Sequence, residues 1–264
     1  MEADAVFFET SALIDLIFSD KETRIKVGAL VSPAARKMTS RFVIFEVCRG
    51  FLRNLILLHN KSLQVKRFDE LFIYASHSRL AHHRLGTILG AFTAYFQLPS
   101  AFSPTSSTEM VAEFRGHLRR KIRRGYESME EKMDEVINDV GCRDDIKGPV
   151  QDAEGYFAQE LRKSDCGIEQ NCGLRNYYHK HRADFVTIRK KLDPPIDNET
   201  EMRRFAMRAL YRVKGRPFER GHCYRAGDAT ISHESPKCAL LISKNQKHIE
   251  PIAEVLEKSA AFYS

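Results

Sequence analysis

Four oxygen-bearing residues stand where a chain could gather them for hydrolytic chemistry: Glu9, Glu46, Asp228 and Asn245. Glu9 follows the short apolar run Ala5–Phe8, and Asn245 follows the run Ala239–Ser243. Glu46 and Asp228 fall in the opening turns of segments with helical spacing. In an open parallel sheet, residues just past the carboxyl ends of strands converge on one crevice. Carboxylates crowded there repel one another, so their assembly is favourable mainly when a hard cation such as Mg²⁺ or Mn²⁺ lies between them. Such an ion activates water and stabilises charge on a phosphoryl group. Taken singly, Glu9 is also a helix-capping acid and Asp228 an acid favoured by a helix N-terminus. Glu46 is harder to place on a surface, because Phe42, Val43, Ile44, Phe45 and Val47 surround it in the sequence.

The elements that must carry these residues alternate between strand and helix. Ala5–Phe8 reads as a strand, and Ala12, Leu13, Leu16 and Ile17 recur after it at helical spacing. Residues 36–39 repeat the pattern, with Ser40 as helix N-cap and Phe42, Phe45, Glu46 and Arg49 on one face. A long helical stretch is expected from about 62 to 97, with Gly86 or Gly90 as the place for an interruption. The last part returns to this grammar, with a helix from Asp228, a strand at 239–243, a helix near 249–258 and a final strand at 260–263. Strands alternating with helices predict a parallel sheet. The segment 100–107 is the clearest linker, and helices are expected over about 108–140, 150–164, 168–191 and 198–214. The expected organisation is a core of residues 1–99 and 222–264 interrupted by a mostly helical insertion, 100–221.

Composition narrows the partners. The 264 residues hold 42 Lys and Arg against 35 Asp and Glu, a net charge of +7, which suits a polyanion. Arg203, Arg204, Arg208, Arg212, Lys214, Arg216, Arg220 and Arg225 run directly up to Asp228. Of these, Arg208, Arg212, Lys214, Arg216, Arg220 and Arg225 are expected to grip nucleic-acid phosphates, with Tyr211, Phe218 or Tyr224 stacking bases. Six cysteines without paired spacing suit a reducing, cytoplasmic setting. No apolar run approaches the roughly 20 residues that span a bilayer, so no membrane partner is expected. Cys166, Cys172, His179 and His181 raise a zinc reading, although five residues between the cysteines is not a common ligand spacing.

The four acidic segments together resemble the motifs of the PIN-domain nuclease family. Phe8-Glu9-Thr10-Ser11 resembles its opening strand and acidic turn, and Ser40 with Glu46 and Gly50 resembles its second motif. Gly227-Asp228-Ala229-Thr230-Ile231 resembles the third, and Ser243-Lys244-Asn245 with His248-Ile249 the fourth. The resemblance covers about 100 residues. It implies a three-layer α/β/α fold with a central parallel sheet and a Mg²⁺ or Mn²⁺ site held by Glu9, Glu46, Asp228 and Asn245. Ser11, Ser40 and Ser243 would orient the carboxylates or a bound water. It further implies endoribonuclease activity on RNA of the kind found in toxin–antitoxin systems, where a protein partner inhibits the nuclease; a homodimer is compatible with this. Glu9 stands where the family usually carries Asp, and its extra methylene changes the reach of that carboxylate. A DNA nuclease of the same fold and a non-catalytic PIN-like scaffold binding nucleic acid or protein are the alternatives.

Overall fold

The computed structural model describes residues 4–77, 82–102, 106–142, 146–159, 172–211 and 221–264. In chain order its first half contains β1 (Ala5–Phe8), α1 (Thr10–Phe18), α2 (Lys21–Gly28), β2 (Arg36–Ser40) and α3 (Arg41–Val47). A π turn, Cys48–Leu52, leads into α4 (Arg53–Ser62), followed by α5 (Asp69–His77), α6 (His82–Phe96) and α7 (Ser107–Glu131). The second half contains β3 (Glu135–Ile137), β4 (Val150–Gln151), β5 (Phe157–Ala158), α8 (Gly173–Lys180), α9 (Arg182–Lys191) and α10 (Asn198–Tyr211). It closes with α11 (Gly221–Arg225), α12 (Gly227–Glu234), β6 (Ala239–Ser243), α13 (Gln246–Val255) and β7 (Ala260–Phe262).

The fold is α/β. Five strands form one sheet in the order β3-β2-β1-β6-β7, and every pairing in it is parallel. All four residues of β1 are buried, as a central parallel strand covered on both faces requires. The chain leaves β1 toward β2 on one side and returns through β6 on the other. The crevice beyond the carboxyl ends of β1 and β6 is therefore the switch point of the sheet, where ligands bind in open α/β folds. Among the described residues, no helix is long and apolar enough to cross a membrane.

Three expectations change. The stretch 62–97 is not one helix, because α4 ends at Ser62, whose hydroxyl bonds the His59 carbonyl at 2.6 Å. The chain is then turned by Phe68, whose N–H donates to Ser107 at 2.7 Å and whose ring packs on Phe92, Tyr95, Phe96 and Phe114. Helix α7 stops at Glu131, short of 140, because Val136 and Ile137 join the sheet beside β2, and Asp134 exchanges two bonds of 2.8 Å with the Lys37 backbone. The segment 100–221 supplies the edge strand β3. Residues 150–158 form a hairpin instead of a helix. Gly155 takes φ of +91°, and Asp152 accepts from the Tyr156 N–H at 2.7 Å, a turn that a helix would not permit.

Candidate acidic site

Glu9 is the first residue past β1 and caps α1, its carboxylate accepting from the Ala12 N–H at 3.2 Å. The Ser11 hydroxyl donates to the same oxygen. Ser11 in turn accepts from the Lys244 N–H at 3.0 Å, which ties the end of β1 to the end of β6. Ser243 also bonds the Glu9 carboxylate, and its hydroxyl accepts from the Asn245 N–H at 2.9 Å. Glu9 is only 4% exposed. Burial pushes its carboxyl above the ordinary range and the Asp228 charge adds to this, against the hydrogen bonds from Ser11 and Ser243.

Glu46 projects from α3 toward the same crevice. Thr10, the first residue of α1, donates to its Oε2 at 2.8 Å. On its other side lies the start of α12: a Cβ built on Gly227 would clash with Oε1 and sit 3.1 Å from Cδ. Glycine at 227 is what lets a carboxylate lie against that helix end. Burial first, then the charges of Asp228 and Glu9, push Glu46 up to about 7, with Thr10 and Arg49 opposing. Asp228, in the first turn of α12, accepts from Asn245 Nδ2 at 3.4 Å. The structure thus brings Glu9, Glu46 and Asp228, from both ends of the chain, close enough for their charges to interact, with Asn245 bonded to Asp228, but the three carboxylates do not each bring an oxygen within 4.8 Å of the others.

A cation missing from the predicted ligand set already sits there. Arg203, on α10 and 2% exposed, donates to Asp228 Oδ2 through Nη2. Its Nη1 lies 3.1 Å from His248 Nδ1, and Nη2 is 3.5 Å from Glu199. Because a guanidinium only donates, Nδ1 is the acceptor in that contact, and Nε2 lies 3.5 Å from Glu199 and 3.7 Å from Asp197. Thr200, Arg203, Met207 and Leu210 are all buried on α10, so an arginine standing in an apolar 3–4 spacing is the signal that marks Arg203 as more than a surface charge. Thr10 carries no spacing signal of its own and stands in the sequence only as part of Phe8-Glu9-Thr10-Ser11.

The remaining candidates divide. Ser11 and Ser243 both serve Glu9, whereas Ser40 caps α3 by accepting from Val43 at 3.2 Å and bonds Glu234, another buried carboxylate. Arg208 is exposed on α10 and Arg225 is half-buried at the end of α11; Arg212, Lys214, Arg216 and Arg220 lie outside the described residues. Of the aromatics, Tyr211 is buried in the core and unavailable for stacking, Phe218 lies outside the described residues, and Tyr224 is 58% exposed. The Arg49 guanidinium covers the Tyr224 ring at 4.5 Å, adding an arginine and an open aromatic face near Glu46. No protein-family model, no curated protein and no solved structure matches the chain.

Proposed function

We propose that the chain is a PIN-like, metal-dependent nuclease that hydrolyses phosphodiester bonds in RNA, with Glu9, Glu46, Asp228 and Asn245 as its metal-binding set. What supports this reading is three carboxylates near enough to repel one another, with an amide on one of them, at the switch point of a parallel sheet and two carboxyls pushed upward by burial and that repulsion; holding one ion requires their oxygens to close in further. The donor set is entirely oxygen, which fits Mg²⁺ or Mn²⁺ and not a thiolate-seeking metal. When bound, such an ion supplies an activated water and charge stabilisation at the phosphate.

The chain's own residues then have separable tasks. Ser11 and Ser243 fix the Glu9 carboxylate, Thr10 fixes that of Glu46, and Asn245 aligns Asp228. Arg208 and Arg225 supply positive charge for the substrate backbone, and Tyr224 offers a face for a base. Purified protein with Mn²⁺ is expected to cleave single-stranded RNA, and Asp228→Ala to abolish the cleavage. Equal activity in the variant would contradict the assignment.

A specific observation favours a second reading. The Arg203–Asp228 pair already neutralises one carboxylate, so the fold could serve as a scaffold in which a guanidinium does the structural work of a cation. That reading predicts neither Mn²⁺ binding nor cleavage, even after Glu9→Asp restores the shorter carboxylate.

A further inference from the structure

A second group of metal-ligating side chains lies at the other end of the helix that carries Asp228. His181 occupies the junction between α8 and α9, Asp184 the first turn of α9, and His233 the last turn of α12. One ligand atom from each lies within 4.8 Å of the others. We propose that His181, Asp184 and His233 bind a zinc-type divalent ion that clamps the α8–α9 junction to α12.

Geometry supports this at each edge of the triangle. His233 Nε2 and Asp184 Oδ2 are 3.0 Å apart, close to the roughly 3.3 Å that separates two ligand atoms on a tetrahedral ion with bonds of about 2.0 Å. The imidazole centroids of His181 and His233 are 4.7 Å apart. Two rings bound to one ion in adjacent positions have centroids about 4.6–5.3 Å apart when the metal–nitrogen bond is about 2.1 Å. A carboxylate facing one histidine is an ordinary hydrogen bond; a second imidazole closing on the same point adds nothing to that bond and completes a three-ligand set.

The surroundings are those of a ligand held in place. Tyr177 Oη lies 2.6 Å from His233 Nδ1, so an Nδ1–H donated to Tyr177 leaves the Nε2 lone pair for the ion. Tyr177 also packs on His181 at 4.7 Å between centroids, and Phe185 packs on His233 at 4.7 Å. The His233 side chain is 10% exposed while that of Asp184 is 53% exposed, which leaves one side open for entry and for a water as fourth ligand. Two imidazoles and one carboxylate suit zinc better than magnesium. Of the other zinc grouping, Cys166 lies outside the described residues, and His181 is shared with this cluster.

The test uses the full chain after EDTA treatment, titrated with Co²⁺ as the visible probe and then with Zn²⁺. The expected result is an intense tetrahedral d–d absorption band that saturates at one equivalent of Co²⁺ at the histidine site, without a sulfur charge-transfer band, and is displaced by Zn²⁺. Asp184→Asn and His181→Ala should each weaken Co²⁺ affinity at least tenfold, and Tyr177→Phe more modestly, while Asp228→Asn should leave it unchanged. Asp184 is on the surface, so its variant is expected to fold even if a His233 variant does not. Absence of saturable Co²⁺ binding by the wild type, a thiolate band, or unchanged affinity in both Asp184→Asn and His181→Ala would overturn the proposal. Loss of RNA cleavage in Asp228→Asn with Co²⁺ binding intact would separate this site from the acidic one.

Discussion

Replacing Gly227 by alanine tests the packing of the acidic site at a single atom. The new Cβ would clash with Oε1 of Glu46 and lie 3.1 Å from its Cδ and 3.4 Å from Oε2. Glu46 can swing aside only by surrendering the 2.8 Å bond from Thr10. At pH 8, where Glu46 is ionised, that bond has a charged acceptor and contributes about 1.5–3 kcal/mol, and overpacking a filled site costs about 1–3 kcal/mol, so the single variant should lose about 1–3 kcal/mol by whichever route is cheaper. In a Glu46→Ala background the clash is gone, and alanine in place of glycine at a helical position should gain up to about 0.5–1 kcal/mol. The sign of the same substitution therefore reverses between backgrounds. Urea unfolding of the four proteins, read as a double-mutant cycle in EDTA, should give a coupling of about 1.5–4 kcal/mol. An equal cost in both backgrounds would refute the placement of Glu46 against α12.

Two further expectations follow from the raised Glu46 carboxyl. Between its ordinary 4.5 and about 7 the folded protein holds a proton that the unfolded chain has lost, so this group's contribution to stability falls as pH rises through that window. The displacement corresponds to about 3 kcal/mol at most. Glu46→Gln should thus gain on the wild type by up to that amount between pH 4.5 and 8 in EDTA; parallel pH profiles would be incompatible with a carboxyl held near neutrality. A cation must displace the same proton, so wild-type Mn²⁺ affinity should climb with pH below about 7 and level off above it. An affinity independent of pH across that range would exclude Glu46 as a ligand.

Much of the sheet was legible because its strands are short apolar runs ending in polar residues, as at Phe8-Glu9 and Ser243-Lys244-Asn245. The same punctuation made Glu9 and Asn245 candidates, and the apolar company of Glu46 marked it as a carboxylate in need of partners. Strand β3 was hidden because three residues, Glu135–Ile137, gain their strand character from β2 and not from any pattern of their own. The hairpin at 150–158 was hidden by good helix formers whose preference Gly155 and Asp152 override. Arg203 and the His181–Asp184–His233 group are tertiary facts. Each joins residues from separate helices, and no spacing within one segment encodes the distance between them.

The central claim is that the acidic crevice holds a hard divalent cation. It is tested most directly by titrating Mn²⁺ into the protein at pH 8, followed by electron paramagnetic resonance, in an Asp184→Asn background that removes the histidine cluster. The account predicts saturable Mn²⁺ binding that Asp228→Asn weakens at least tenfold. No Mn²⁺ binding, or equal binding in the Asp228→Asn protein, would contradict it.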